Sequence, residues 1–186
     1  MRDHRQLLHP GLADWRMAGR GGFRWTAAGA IESYGGPGLL WYAAETFDDF
    51  VLEAIWRITR EDDNSGIFLR SPELGDDLAP AIERGYEVQI DDRGLDAETG
   101  RLGSPFHRTG AIYKLAPAPL LLSRAVGRWN AFTITARGRS IRVELNGREA
   151  SRLEDPSRER CGHIALQCHH EGSSVQFKSL MVSDAD

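Results

Sequence analysis

The chain has 186 residues, 23 Lys and Arg against 27 Asp and Glu, a formal net charge of −4, and 41% hydrophobic residues. That length holds one domain with one sizeable core. No stretch approaches the ~20 apolar residues of a membrane helix, and a mildly acidic chain lacks the basic field of a nucleic-acid binder. Twenty glycines and five tryptophans against three methionines lean toward β structure with tight turns.

The first ten residues, Met1 to Pro10, are charged and carry no apolar h-region, so the expected compartment is the cytoplasm. Residues 50–58 read as a strand, and residues 65–70 as a second. Residues 76–84 could hold a helical turn. Tyr86 to Asp91 alternates apolar and polar and stops at Asp92-Arg93-Gly94. Residues 95–109 form a long irregular loop, a type that is often functional. A second helical turn fits residues 120–126. Residues 129–136 and 140–145 flank a turn at Arg137-Gly138-Arg139. Asn146-Gly147 predicts a type I′ hairpin turn, because both central residues need positive φ. Residues 161–169 and 174–182 close the chain as a last pair. No repeat or linker interrupts this pattern, so residues 1–186 read as a single domain. Its regular strands and turns predict an all-β sandwich or jelly roll. Cys161 and Cys168 are too few for a disulfide framework and read as free thiols.

Side chains alternate across a strand. Glu87, Gln89 and Asp91 therefore share a face, as do Gly66, Phe68 and Arg70, and as do Gln167 and His169. A plain solvated face is one reading. The other is a sugar-binding face, since these groups can bond hydroxyls while aromatics stack on C–H faces.

Several blocks then stand in order: residues 64–70, 85–91, 109–113, 127–130, 145–147 and 162–169. Together they resemble the 3-keto-disaccharide hydrolase domain from about Gly11 to Val182. The resemblance implies a concanavalin A-like jelly roll of two antiparallel sheets, similar to laminarinase-type glycosidases. Cys168, His169 and His170 stand where that family more usually has a single His.

Laminarinase-type enzymes carry Glu-x-Asp-x-x-Glu on one strand, whereas this chain has Glu87-x-Gln89-x-Asp91. Glu87 and Asp91 are four positions apart along a strand, about 13 Å at ~3.3 Å per residue. A retaining glycosidase holds its two carboxyls only about 5 Å apart. Direct double displacement would need a third acid, such as Glu53. The resemblance implies a different reaction on a 3-keto-glycoside: abstraction of the C2 proton, loss of the C1 aglycone, and hydration, as a hydrolase or a lyase.

Glu87 or His169 would be the base, Arg70 the oxyanion stabiliser, and Tyr113 or His107 the acid. Gln89, Gln167, Asp91, His107 and Trp129 would contact the sugar. A divalent metal on His169, Glu87 or an Asp could replace Arg70 as electrophile. Simpler readings stand beside these. Arg70 could pair with Glu87, Tyr113 and Trp129 could be core or rim aromatics, Trp56 reads as core, and His107 reads as solvent-exposed. No Rossmann glycine motif is present to oxidise the sugar, so a sugar 3-dehydrogenase would have to act first. The alternative to an enzyme is a lectin-like carbohydrate-binding module without turnover.

Overall fold

The structure is a computed structural model that describes residues 4–154 and 157–185. It is almost entirely β. Its strands are β1 (Arg5–Gln6), β2 (Trp15–Gly19), β3 (Gly22–Trp25), β4 (Ile31–Tyr34), β5 (Gly38–Tyr42), β6 (Phe50–Ile58) and β7 (Ser65–Ser71). A short helix α1 (Ala79–Arg84) precedes β8 (Tyr86–Ile90). The carboxyl-terminal half supplies β9 (Asn130–Arg137), β10 (Ser140–Leu145), β11 (Arg148–Glu154), β12 (His163–Cys168) and β13 (Val175–Asp184).

These strands form two antiparallel sheets. The larger has the order β11-β10-β9-β6-β13-β4-β3, with β1 added against β13, and the smaller has the order β2-β5-β12-β7-β8. Alternation explains the packing. Leu52, Ala54, Trp56 and Ile58 of β6 and Phe132, Ile134 and Ala136 of β9 face Ile67, Leu69, Val88, Ile90, Ile164 and Leu166 of the smaller sheet. Two inner faces of this kind interdigitate to make the core of a sandwich. Trp56 is fully buried, with its ring 5.1 Å from that of Phe132. Leu145 pairs with Arg148 across Asn146 and Gly147, whose φ values of 53° and 79° suit the anticipated type I′ turn. Both cysteines are free. Residues 120–126 contain no helix, and among the described residues no helix is long and apolar enough to cross a membrane.

The first five strands escape a period-2 reading, and β5 shows why. Its sequence Gly-Leu-Leu-Trp-Tyr is buried on both sides. One side meets the main core. The other, with Ala18, Leu39, Trp41, Phe68 and Ala165, meets Leu74 and Ala81 of the segment preceding and forming α1. A strand buried on both faces has no polar alternation to display. Residues 72–85 therefore cover part of the outer face of the smaller sheet, with α1 itself packed on β7 and β8.

Arg70 corrects the face assignment. Two residues lie between Phe68 and Ser71, yet only one lies between their partners Ala165 and His163. The extra residue is a bulge with Arg70 at φ 51°, so its side chain leaves the Phe68 face. The guanidinium, 1% exposed, donates to the carbonyls of Asp48 (2.7 Å) and Gly138 (2.8 Å) and reaches Asp49 Oδ1 at 3.4 Å. It ties the β9–β10 turn to the segment before β6 and serves neither a sugar nor Glu87. Arg70→Met is therefore expected to lower unfolding free energy by about 3 kcal/mol, since buried acceptors lose a charged donor. Urea unfolding measures this, and a loss within the ordinary surface range of about 0.5 kcal/mol would contradict it.

Candidate active site

The open side of the smaller sheet carries a compact polar cluster. Gln89 pairs with Gly66 and Glu87 pairs with Phe68 across β7 and β8. On the next strand, Ala165 pairs with Phe68, and Gln167 lies two residues further along the same face. Glu87 does not point straight out. Its carboxyl leans over Gly66, where an added Cβ would fall 2.4 Å from Oε1 and 2.8 Å from Cγ. Any other residue at 66 would fill the space the carboxyl occupies.

Two amides flank that carboxyl. Gln89 is buried and donates to Glu87 Oε1 at 3.2 Å and to the Ser65 carbonyl at 2.9 Å. The Gln167 side chain interacts with Glu87 from the other side and favours its charged form. Burial outweighs this help and pushes the Glu87 carboxyl up to about 8. The Gln167 Oε1 is itself buried without a hydrogen-bond partner among the described residues.

The loop after β8 supplies the side wall. The Tyr113 N–H donates to the Glu87 carbonyl at 2.8 Å, and the Tyr113 ring stands edge-on to His107 at 5.0 Å. Burial, only partly offset by Lys114, raises the Tyr113 phenol, and the Glu87 charge adds to that rise. His107 is buried rather than solvent-exposed. Its Nδ1 shares a hydrogen bond of 2.7 Å with Ser104 Oγ, and its Nε2 is without a partner among the described residues. A cleft of about 460 Å³ opens beside His107, Phe106 and Lys114. A second cleft, of about 240 Å³, opens on the other side beside Gln167 and His169. The His169 imidazole is held below its usual pKa by burial of its ring and by His170, against the opposing pull of Asp91. Its Nδ1 lies 2.9 Å from Nδ1 of His170, and the residue as a whole remains exposed.

The structure thus gathers Glu87, Gln89, Gln167, His169, Tyr113 and His107 around one part of the sheet. Three other candidates are committed to other roles. Arg70 is the anchor described above. Asp91 is fully buried and accepts from the Arg93 and Leu95 N–H groups at 3.0 Å each, so its carboxylate closes the turn after β8. Trp129 belongs to the outer face of the larger sheet, with the Arg57 guanidinium 4.4 Å above its ring. Glu53 lies on that same far sheet, 3.5 Å from His4, and is no third acid. Among the described residues, no group of three or more His, Cys, Asp or Glu comes together to hold a metal ion. The sequence reading passed over Gly66 as a site residue. Its signal was a glycine inside a strand, which often marks a close approach.

Solved structures share this fold. Two crystal structures of candidate glycosyl hydrolases from Parabacteroides distasonis each superimpose with a TM-score of 0.78. One, at 22% identity, covers 94% of this chain and 90% of its own. The other, at 20% identity, covers 98% of this chain and 100% of its own. The carbohydrate-binding module CBM66 from Bacillus subtilis has a TM-score of 0.64 at 14% identity, covering 92% of this chain and 96% of its own. No curated protein matches the chain at a significant level. The sequence pattern of the 3-keto-alpha-glucoside-1,2-lyase-like domain matches residues 8–183, and the chain belongs to that family.

Proposed function

We propose that this chain cleaves 3-keto-glycosides by elimination and hydration, with Glu87 as the base. One observation carries the reading: a single carboxyl laid across Gly66 between two amides and pushed up to about 8. A general base works best with a pKa near the working pH, and a carboxyl raised this far is a far stronger base than an ordinary glutamate. The family to which the chain belongs supports the same chemistry.

Glu87 takes the C2 proton, which the C3 ketone has made acidic. The C2–H electron pair moves onto the ketone as an enolate. The enolate returns that pair to form the C1=C2 bond as the C1–O bond breaks, and the aglycone oxygen leaves with a proton. Water then adds across the double bond, its oxygen at C1 and a proton at C2, and a free 3-keto sugar is released. Tyr113 or His107 delivers the proton to the leaving oxygen. His169, neutral at pH 7, donates a ring N–H to the C3 oxygen. A neutral imidazole with a depressed pKa suits such polarisation. Gln89 and Gln167 hold the carboxyl and the neighbouring hydroxyls. The substrate must come from an oxidation at sugar C3 by a separate dehydrogenase. The two free thiols suit a reducing cytoplasm.

The test is one disaccharide offered before and after oxidation at C3, with cleavage followed by chromatography. Cleavage of the keto form alone is expected, because an unoxidised C2 proton is beyond the reach of a carboxylate. Equal cleavage of both forms would make the chain an ordinary glycosidase. Binding without cleavage would make it a lectin-like module.

A further inference from the structure

The cleft of about 240 Å³ beside Gln167 is continuous with the site, because it is walled by Phe68, Gln167 and His169. Its remaining walls are of a different kind. Leu39 of β5 forms one side, and Leu78 and Ile82 lean over from the α1 segment. Leu39 and Phe68 are buried, whereas Ile82 is 57% exposed. Ile82 thus leaves apolar surface open at the mouth of the cleft. Gln167 and His169 are the polar walls, and Gln167, which also interacts with the Glu87 carboxyl, links the cleft to the site. The hydrogen-bonding end thus faces the reacting sugar, and the apolar end faces away from it.

We propose that this cleft is the aglycone subsite and that it selects an apolar alcohol, a short alkyl chain or a single ring, over a second sugar. This rests on the reading of the chain as a 3-keto-glycoside-cleaving enzyme. A second sugar would place its ring of hydroxyls against Leu39, Leu78 and Ile82, which offer no partner and strip away water. An apolar group gains from the same burial. The size agrees. Pockets for drug-sized ligands span ~300–1,000 Å³, and an apolar cavity of about 150 Å³ already holds benzene. The cleft therefore fits one ring or a few methylenes.

A homologous series reads the subsite without changing the bond that breaks. Methyl, propyl and pentyl 3-keto-glucosides, of both anomers, have leaving groups of nearly equal acidity. Each buried methylene should raise kcat/KM roughly fourfold until the cleft is full, and the pentyl member should exceed the 3-keto-disaccharide. Ile82→Asn, at an exposed helix position whose folding a thermal melt checks, should flatten the series. A flat series in the native chain, with all members cleaved, would overturn the apolar subsite and leave the proposed reaction standing. Cleavage of no member would overturn the reaction. Calorimetric affinities for the same series would then decide the cleft by themselves: rising affinity supports it, and flat affinity sinks it.

Discussion

Glu87→Gln is expected to lower kcat/KM on a 3-keto-glycoside by about 10²–10⁴-fold, the range of a positioned acid–base group. The substitution keeps the shape that lies over Gly66 and keeps partners for Gln89 and Gln167. It removes only the ability to take a proton. The pH profile adds a second readout. With Glu87 as base, kcat/KM in the native chain should rise through about pH 8 as the carboxyl ionises, and that limb should vanish in Glu87→Gln. A limb that instead falls through the same pH would make Glu87 the acid. Gly66→Ala should act through the same group, since its methyl would fall 2.4 Å from Oε1 and displace the carboxyl. A misplacement of about 1 Å can cost ~10²-fold. If Glu87→Gln retained full turnover and a normal melting profile, the base would lie elsewhere.

The sheet face that holds this carboxyl was largely legible in the amino-acid sequence. Glu87 and Gln89 alternate with Val88 and Ile90, and Gln167 alternates with Leu166 and Cys168, so period 2 alone sorts them from the core. Two kinds of information were not in that period. The first is backbone irregularity. Arg70 lies on the Phe68 face only in a regular strand, and the bulge at φ 51° turns it into a buried anchor. Its trace in the sequence is faint, because at the bulge the chain is approached closely by Gly162, just before β12, where an added Cβ would fall 2.5 Å from the Arg70 carbonyl carbon. The second is coverage from outside the sheet. The apolar run of β5 and the loop residue His107 take their burial from residues 72–85 and from the β8–β9 loop respectively. Trp129 shows the converse case: an aromatic with no period to place it sits on the far sheet beneath Arg57.

The same raised pKa has a consequence for folding that a binding face without chemistry would have no reason to carry. In the unfolded chain Glu87 titrates near 4.5, and in the folded chain it titrates near 8. Between those values the folded state keeps a proton that the unfolded state has lost. Stability therefore falls as pH rises across that window, because the unfolded state binds fewer protons. At about 1.36 kcal/mol per unit, the loss is on the order of 4–5 kcal/mol by about pH 8.5. Glu87→Gln removes the titration. Its unfolding free energy should match that of the native chain near pH 4.5 and exceed it increasingly above, by that same margin at pH 8.5. Comparing the two proteins isolates this residue, because other groups raised by burial, such as Asp92, shift both alike. Urea unfolding at pH 5, 7 and 8.5 gives the free energies. Native and variant curves that stay parallel across the range would place Glu87 at its ordinary pKa, and its claim to be the base would lose its footing. Divergence on this scale would mean that the fold gives up stability to hold one uncharged carboxyl over Gly66, a sacrifice typical of a site kept for its chemistry.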